Sequence, residues 1–211
     1  MKIKDKDIDM PDEFNMKKIT TPLLLYLLKK EMKSPRLFLF RCVLTAHRLK
    51  KKIDPEFPEE LINLTALPLW VYINLKKAIG PKKAFEVMRI VILTAGVAKQ
   101  SILFDTVRKE RTFENFIQQE LEINRTGTTR WNTLEIVEQT RTKFEIKITR
   151  CLYHELTQSL GIPELTPIVC QVDNAVFNSY LPEQMTFHRN GLGQRIADGN
   201  KECHFIWKIN P

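Results

Sequence analysis

Lys143-Phe144-Glu145-Ile146-Lys147-Ile148-Thr149-Arg150 decides the fold, because its apolar residues fall on every second position. Phe144, Ile146 and Ile148 point one way while Lys143, Glu145, Lys147 and Thr149 point the other, the pattern of a strand with one face on a core. Just upstream, Leu134 and Ile136 supply a hairpin partner across a short polar turn. Near the other end, Cys203, Phe205, Trp207 and Ile209 alternate in the same way, and Met185 and Phe187 begin a fourth extended segment. Strands are therefore expected around 131–138, 142–150, 184–190 and 202–209, with a helix from about Leu152 to Leu160 stopped by Gly161 and Pro163. The C-terminal part reads as hairpin, helix, hairpin.

Upstream of the polar connector Arg125-Thr126-Gly127-Thr128-Thr129 the period is that of helices. Pro22 is placed to open one helix after Thr20 or Thr21, and Pro35 a second that ends in Lys50-Lys51-Lys52. Pro58 opens a short third. Residues 68 to 104 then read as two helices split by Gly80-Pro81. Thr112 caps a last one, with Phe113, Phe116, Ile117 and Leu121 on one face. The fold class is thus α+β, a helical N-terminal half packed on an antiparallel sheet of about four strands in the C-terminal half. Residues 1–20 are expected to be a mobile N-terminus and 21–211 a single α+β domain, 21–122 mainly helical and 131–211 hairpin-helix-hairpin.

The 211 residues, 43% apolar and 27% charged, suffice for one substantial core. Four cysteines and no apolar leader behind the charged start argue for free thiols in a reducing cytoplasm. The longest apolar runs, 22–28 and 90–98, fall short of the roughly 20 residues of a membrane span, so no membrane partner is expected. The net charge of +8 lies wholly in residues 1–83, which hold 18 Lys/Arg against 10 Asp/Glu. Its densest piece, Arg48-Leu49-Lys50-Lys51-Lys52, has the charge to meet nucleic acid or an anionic surface. Without interleaved aromatics to stack bases it reads instead as solvated surface at a helix end.

Glycine-rich phosphate loops, a His-Glu-x-x-His pair and a Gly-x-Ser-x-Gly elbow are absent from the sequence, which leaves no cofactor implied. Cys151, Cys170 and Cys203 all fall in the last 61 residues. At the start of a helix, Cys151 has a route to a lowered thiol pKa, whereas Cys42 inside an amphipathic helix reads as core. Cys151-x-x-His154 could give two zinc ligands, but no Cys-x-x-Cys pair accompanies it and no metal is assigned. Asp173 fits either a helix cap or a base beside Cys170.

Arg150-Cys151-x-x-His154, Leu160-Gly161-Ile162-Pro163-Glu164-Leu165, Cys170-x-x-Asp173, Phe187-His188-Arg189 and Asp198-Gly199-x-x-x-Cys203-x-Phe205, in this order, resemble the L-2-amino-thiazoline-4-carboxylic acid hydrolase family. The ending alone is similar to 4-vinyl reductase type ligand-binding domains. The first resemblance implies hydrolytic opening of a cyclic amidine-like C–N bond in a small carboxylate ligand, without cofactor; the second implies a non-catalytic ligand-binding or sensory module. Cys170, Asp173, His154 and Cys151 become the catalytic candidates. Arg150, Glu164, Arg189 and Cys203 become the substrate-binding ones. Ring opening needs a nucleophile, a proton for the leaving group and a cation for the carboxylate; Cys170 with Asp173, His154, and Arg150 or Arg189 fill those needs. Between Arg189 and Arg195 the chain departs from the family pattern, running Asn190-Gly191-Leu192-Gly193-Gln194 without the family's threonines.

Overall fold

The computed structural model describes residues 16–104, 110–127, 129–189 and 194–210. The start expected to be mobile lies mostly outside them, as does 190–193. Among the described residues the helices are α1 Met16–Glu31, α2 Pro35–Thr45, α3 His47–Lys50, α4 Glu59–Ile79, α5 Pro81–Phe104, α6 Phe113–Thr126, α7 Leu152–Ser159 and α8 Thr166–Tyr180. The strands are β1 Thr133–Gln139, β2 Lys143–Arg150, β3 Met185–His188 and β4 Cys203–Ile209. They form one antiparallel sheet in the order β1-β2-β4-β3, with Ile146 opposite Phe205 and Phe144 opposite Trp207. The expected four-strand sheet and helical N-terminal half are both present.

Three expectations need correction. The first helix starts at Met16, so Pro22 lies inside α1 and does not open it. Residues 59–79 form one helix, where a short helix and a second start near 68 were expected; Pro58 is its N-cap and Pro68 lies within it. Pro68 is exposed, so the carbonyl it leaves unpaired, that of Leu64, faces water and the usual interior penalty is reduced. The largest miss is α8. Ile168, Val172, Val176 and Tyr180 line its buried face at helical spacing, although Val and Ile are weak helix formers whose stability there comes from packing.

Two apolar clusters hold the structure. One joins α1 to α5 with α7 and the start of α8 through Leu28, Leu49, Leu69, Tyr72, Leu75, Leu156 and Ile168. The other lies between the sheet and α5, α6 and α8, centred on the fully buried Trp207. Its ring stands 5.3 Å from those of Phe144, Phe177 and Phe187 and 5.4 Å from that of Phe116, contacts each worth about 0.5–1.5 kcal/mol beyond the area they bury. The opposite face of the sheet is charged: Glu145 is held by Lys143 and His204, and Lys147 pairs with Glu202 at 2.9 Å. Strand alternation in the sequence encodes this division.

α5 and α8 contribute to both clusters, and their mutual approach sets the site. α5 has the length and apolar composition of a membrane span, but here it packs against α1, α4 and α8. At Gly96 the two helices come so close that a Cβ would sit 2.6 Å from Val172 Cγ2. Alanine is the better helix former by about 1 kcal/mol, while overpacking against a stiff valine costs about 1–3 kcal/mol. Gly96→Ala should therefore lower the melting temperature, and Val172→Ala added to it should recover part of the loss. A higher melting temperature for Gly96→Ala alone would show that the helices are not in close contact.

Candidate active site

The site grows from one face of α8 at the seam between the two clusters. Ile168 packs into the helical cluster and Val172 into the aromatic one, and the helix turns Cys170 and Asp173, three residues apart, to a different, common side. Asp173 is therefore mid-helix, which removes the capping role considered for it, and Cys170 does not lie at an element edge.

Arg189, directly after β3, reaches across to this face. Its Nη2 donates to Asp173 Oδ2 at 2.6 Å and its Nη1 to the Cys170 carbonyl at 3.2 Å. The guanidinium is 6% exposed and the carboxylate 28%. Phe205 lies under the guanidinium with 4.3 Å from its carbon to the ring centre, and Arg189 Nε is buried with no hydrogen-bond partner among the described residues. On the far side of Asp173, Gln100 Nε2 of α5 donates to Oδ1 at 3.2 Å. Burial pushes the Asp173 pKa up, and Arg189 and Gln100 pull against that rise.

Each of the three C-terminal thiols interacts electrostatically with Asp173, and Cys203 with the other two thiols. Burial pushes Cys170 up to about 12, with Asp173 adding to the rise, and pushes Cys151 up to about 11. Cys203 is also raised by burial, and accepts a hydrogen bond from the Ile196 amide at 3.2 Å. Cys151 does stand at the N-cap of α7. The lowered pKa expected from that position is corrected, because desolvation outweighs the amides of His154 and Tyr153. Among the described residues no three His, Cys, Asp or Glu side chains are arranged to hold a metal ion.

The remaining candidates sit apart from this cluster in their contacts. Arg150 is exposed and makes a two-point pair with Glu155, at 2.8 Å for each bond. Glu164 ties the turn before α8 to α4, accepting from Tyr72 at 2.7 Å and Lys76 at 2.9 Å. His154 is buried against the Thr157 and Thr166 hydroxyl pair, and desolvation lowers its pKa, which works against the protonated form a proton donor would need. Arg195 is occupied by Asp198, with two bonds of 2.7 Å.

Residues that the sequence reading missed complete the cluster. Glu120 on α6 is 6% exposed, takes a hydrogen bond from Asn124 at 2.9 Å and interacts with both Asp173 and Arg189. Burial and the Asp173 charge push its carboxyl up to about 8. Its signal was present: Phe113, Phe116, Ile117 and Glu120 follow i, i+3, i+4, i+7, which puts an acid on an apolar stripe. Gln100 carried no comparable mark.

Two buried carboxyls, the Arg189 guanidinium and three raised-pKa thiols thus lie where helices and sheet meet in an α+β protein. The family model for L-2-amino-thiazoline-4-carboxylic acid hydrolase matches residues 60–207, and the chain belongs to that family. No curated protein matches the sequence at a significant level. Among solved structures, the Fe(II) unliganded H-NOX protein from K. algicida is similar at 11% identity and a TM-score of 0.36, and a point mutant of it at 10% and 0.37. Each alignment covers 92% of this chain and 96% of the other, and likeness at that level supports no argument about fold or chemistry.

The Glu120 shift has a measurable consequence. In the unfolded chain its carboxyl ionises near 4.5, and in the folded protein near 8. Between these values the folded state keeps a proton that the unfolded state has lost, so stability falls as pH rises through that window. Glu120→Gln keeps an acceptor for Asn124 and removes the titration. Thermal melts from about pH 5 to pH 8 should then fall less steeply for Glu120→Gln than for the wild type, the gap widening toward pH 8. Parallel slopes would show that Glu120 is not held protonated.

Proposed function

We propose that this protein is a cytoplasmic hydrolase that opens the cyclic amidine-like C–N bond of a small carboxylate such as 2-aminothiazoline-4-carboxylate, without a cofactor. The grouping of Cys170 and Asp173 on one side of α8 with Arg189, which reaches them from the end of β3, carries this reading. Membership of the family supports the class of reaction.

In the proposed reaction Cys170 Sγ attacks the carbon between sulfur and nitrogen. Asp173 takes the thiol proton as the S–C bond forms. The thiol is protonated at rest, so the nucleophile is generated only during attack. As the ring C–N bond breaks, its electron pair stays on nitrogen, which receives the proton back from Asp173. Water then adds to the thiol-bound carbon and Cys170 leaves as the thiol, so the net change is one water added. Arg189 Nε is the free donor for the substrate carboxylate; Arg150 is exposed and engaged elsewhere. The proton-donor role first given to His154 passes to Asp173, with protonated Glu120 beside it. The protonated thiols are also what a non-catalytic binding module would present, and turnover separates the two readings.

The purified protein incubated with 2-aminothiazoline-4-carboxylate should give a product heavier by one water. Scission at C–N frees an amine and scission at C–S a thiol, so both are assayed. Cys170→Ala should abolish turnover, and Asp173→Asn should reduce it by roughly a hundredfold or more. Unchanged turnover in both variants would refute the assignment, and saturable binding without product would favour the binding module.

A further inference from the structure

Among the described residues, nothing covers the outer apolar face of α2. Pro35, Phe38, Leu39 and Cys42 turn inward, fully or partly buried, and Trp70 of α4 donates to Thr45 at 2.9 Å to hold the helix down. Leu37, Phe40 and Leu44, at i, i+3 and i+7, form a ridge on the opposite side, with Phe40 59% and Leu44 57% exposed. Exposed Val43 widens it, and exposed Arg36 and Arg41 flank it on either side. Leu64 and Leu67, on the helix against which α2 packs, are exposed as well. A helix with apolar residues on two opposite faces is normally covered on both, yet among the described residues this one has a core on one side only.

The surroundings are basic to an unusual degree. From Lys29 to Lys52 nine Lys/Arg stand against a single acid, Glu31, and all nine are exposed. That acid is already paired with Lys83 at 2.7 Å.

We propose that this face docks on the surface of an anionic lipid bilayer, α2 lying in the interface with Leu37, Phe40 and Leu44 at the acyl boundary. Arg36 and Arg41 extend sideways to the headgroup phosphates, and Lys50, Lys51 and Lys52 add long-range attraction. An apolar ridge rimmed by Lys and Arg is the composition of interfacial helices. Charge complementarity selects this occupant. A second copy docked on the same face would bring the two basic stretches of residues 29–52 against each other. Nucleic acid would gain nothing from an aliphatic ridge that offers one ring for stacking. The ridge is short, so neither apolar contact nor charge alone suffices and both are required.

Flotation with vesicles tests this. The protein should float with phosphatidylcholine vesicles containing phosphatidylserine and stay behind with phosphatidylcholine alone, and added salt should weaken the binding. Phe40→Ser combined with Leu44→Ser, at exposed positions where the fold is unaffected, should weaken it about tenfold or more, with an unchanged melting curve. Arg36→Glu with Arg41→Glu should weaken it too. No flotation at low salt would overturn the proposal, as would binding undiminished in the ridge variant. Self-association or single-stranded RNA binding lost in that variant, with no vesicle binding by the wild type, would also overturn it and reassign the face.

Discussion

The ion pair between Asp173 and Arg189 is the constraint on which the arrangement depends. It joins the middle of α8 to the end of β3, two elements that the aromatic cluster alone would hold only by shape. With the second guanidinium bond to the Cys170 carbonyl and Phe205 beneath, it fixes the rotation of α8 about its own axis. That rotation decides which side chains face the seam. A charge pair taken out of water is sustained only when its lone pairs and protons are satisfied, and Gln100 supplies one of the bonds that allow it.

The surrounding electrostatics follow from the same burial. Desolvation raises both buried carboxyls; Asp173 adds to the rise at Glu120, while Arg189 and Arg195 pull Asp173 back, so Glu120 is the acid that keeps its proton. The thiols behave alike: desolvation holds them neutral, and the helix start at Cys151 cannot reverse that. A site built this way stores its protons at rest and needs substrate to move them. That is why Asp173, with an oxygen toward Arg189 and another toward Gln100, is given the central role in the proposed chemistry.

Most of the sheet was legible in the sequence because strand alternation is a local signal, and Phe144, Ile146, Ile148 and Trp207 carry it without interruption. The helix boundaries at Gly80-Pro81 and Thr112 were legible for the same reason, each resting on one residue's backbone chemistry. Pro22 and Pro68 misled because helix-breaking is a tendency that packing and hydration can override. α8 was hidden by its β-branched composition, by Pro163 just ahead of it and by Pro167 in its first turn, though its buried face repeats at helical spacing. Cys170, Asp173 and Arg189 could be picked out by residue type and by family likeness. Glu120 carries a local mark, an acid on the apolar stripe of α6, whereas Gln100 joins them only through a tertiary contact and nothing in its immediate neighbourhood names it. Arg150, Glu164 and His154 carry the right chemistry but are consumed by local pairs that only the fold reveals.

The account stands or falls on whether the Asp173–Arg189 pair holds the site together, and a double-mutant cycle on stability measures that directly. Denaturant unfolding of Asp173→Asn, Arg189→Met and the double variant should give single losses of about 3 kcal/mol, since each strands a desolvated partner. The double variant should lose well under the sum, a coupling on the order of 2 kcal/mol. Losses that add to within about 0.5 kcal/mol would mean that the two side chains do not support each other and that α8 is positioned by apolar packing alone.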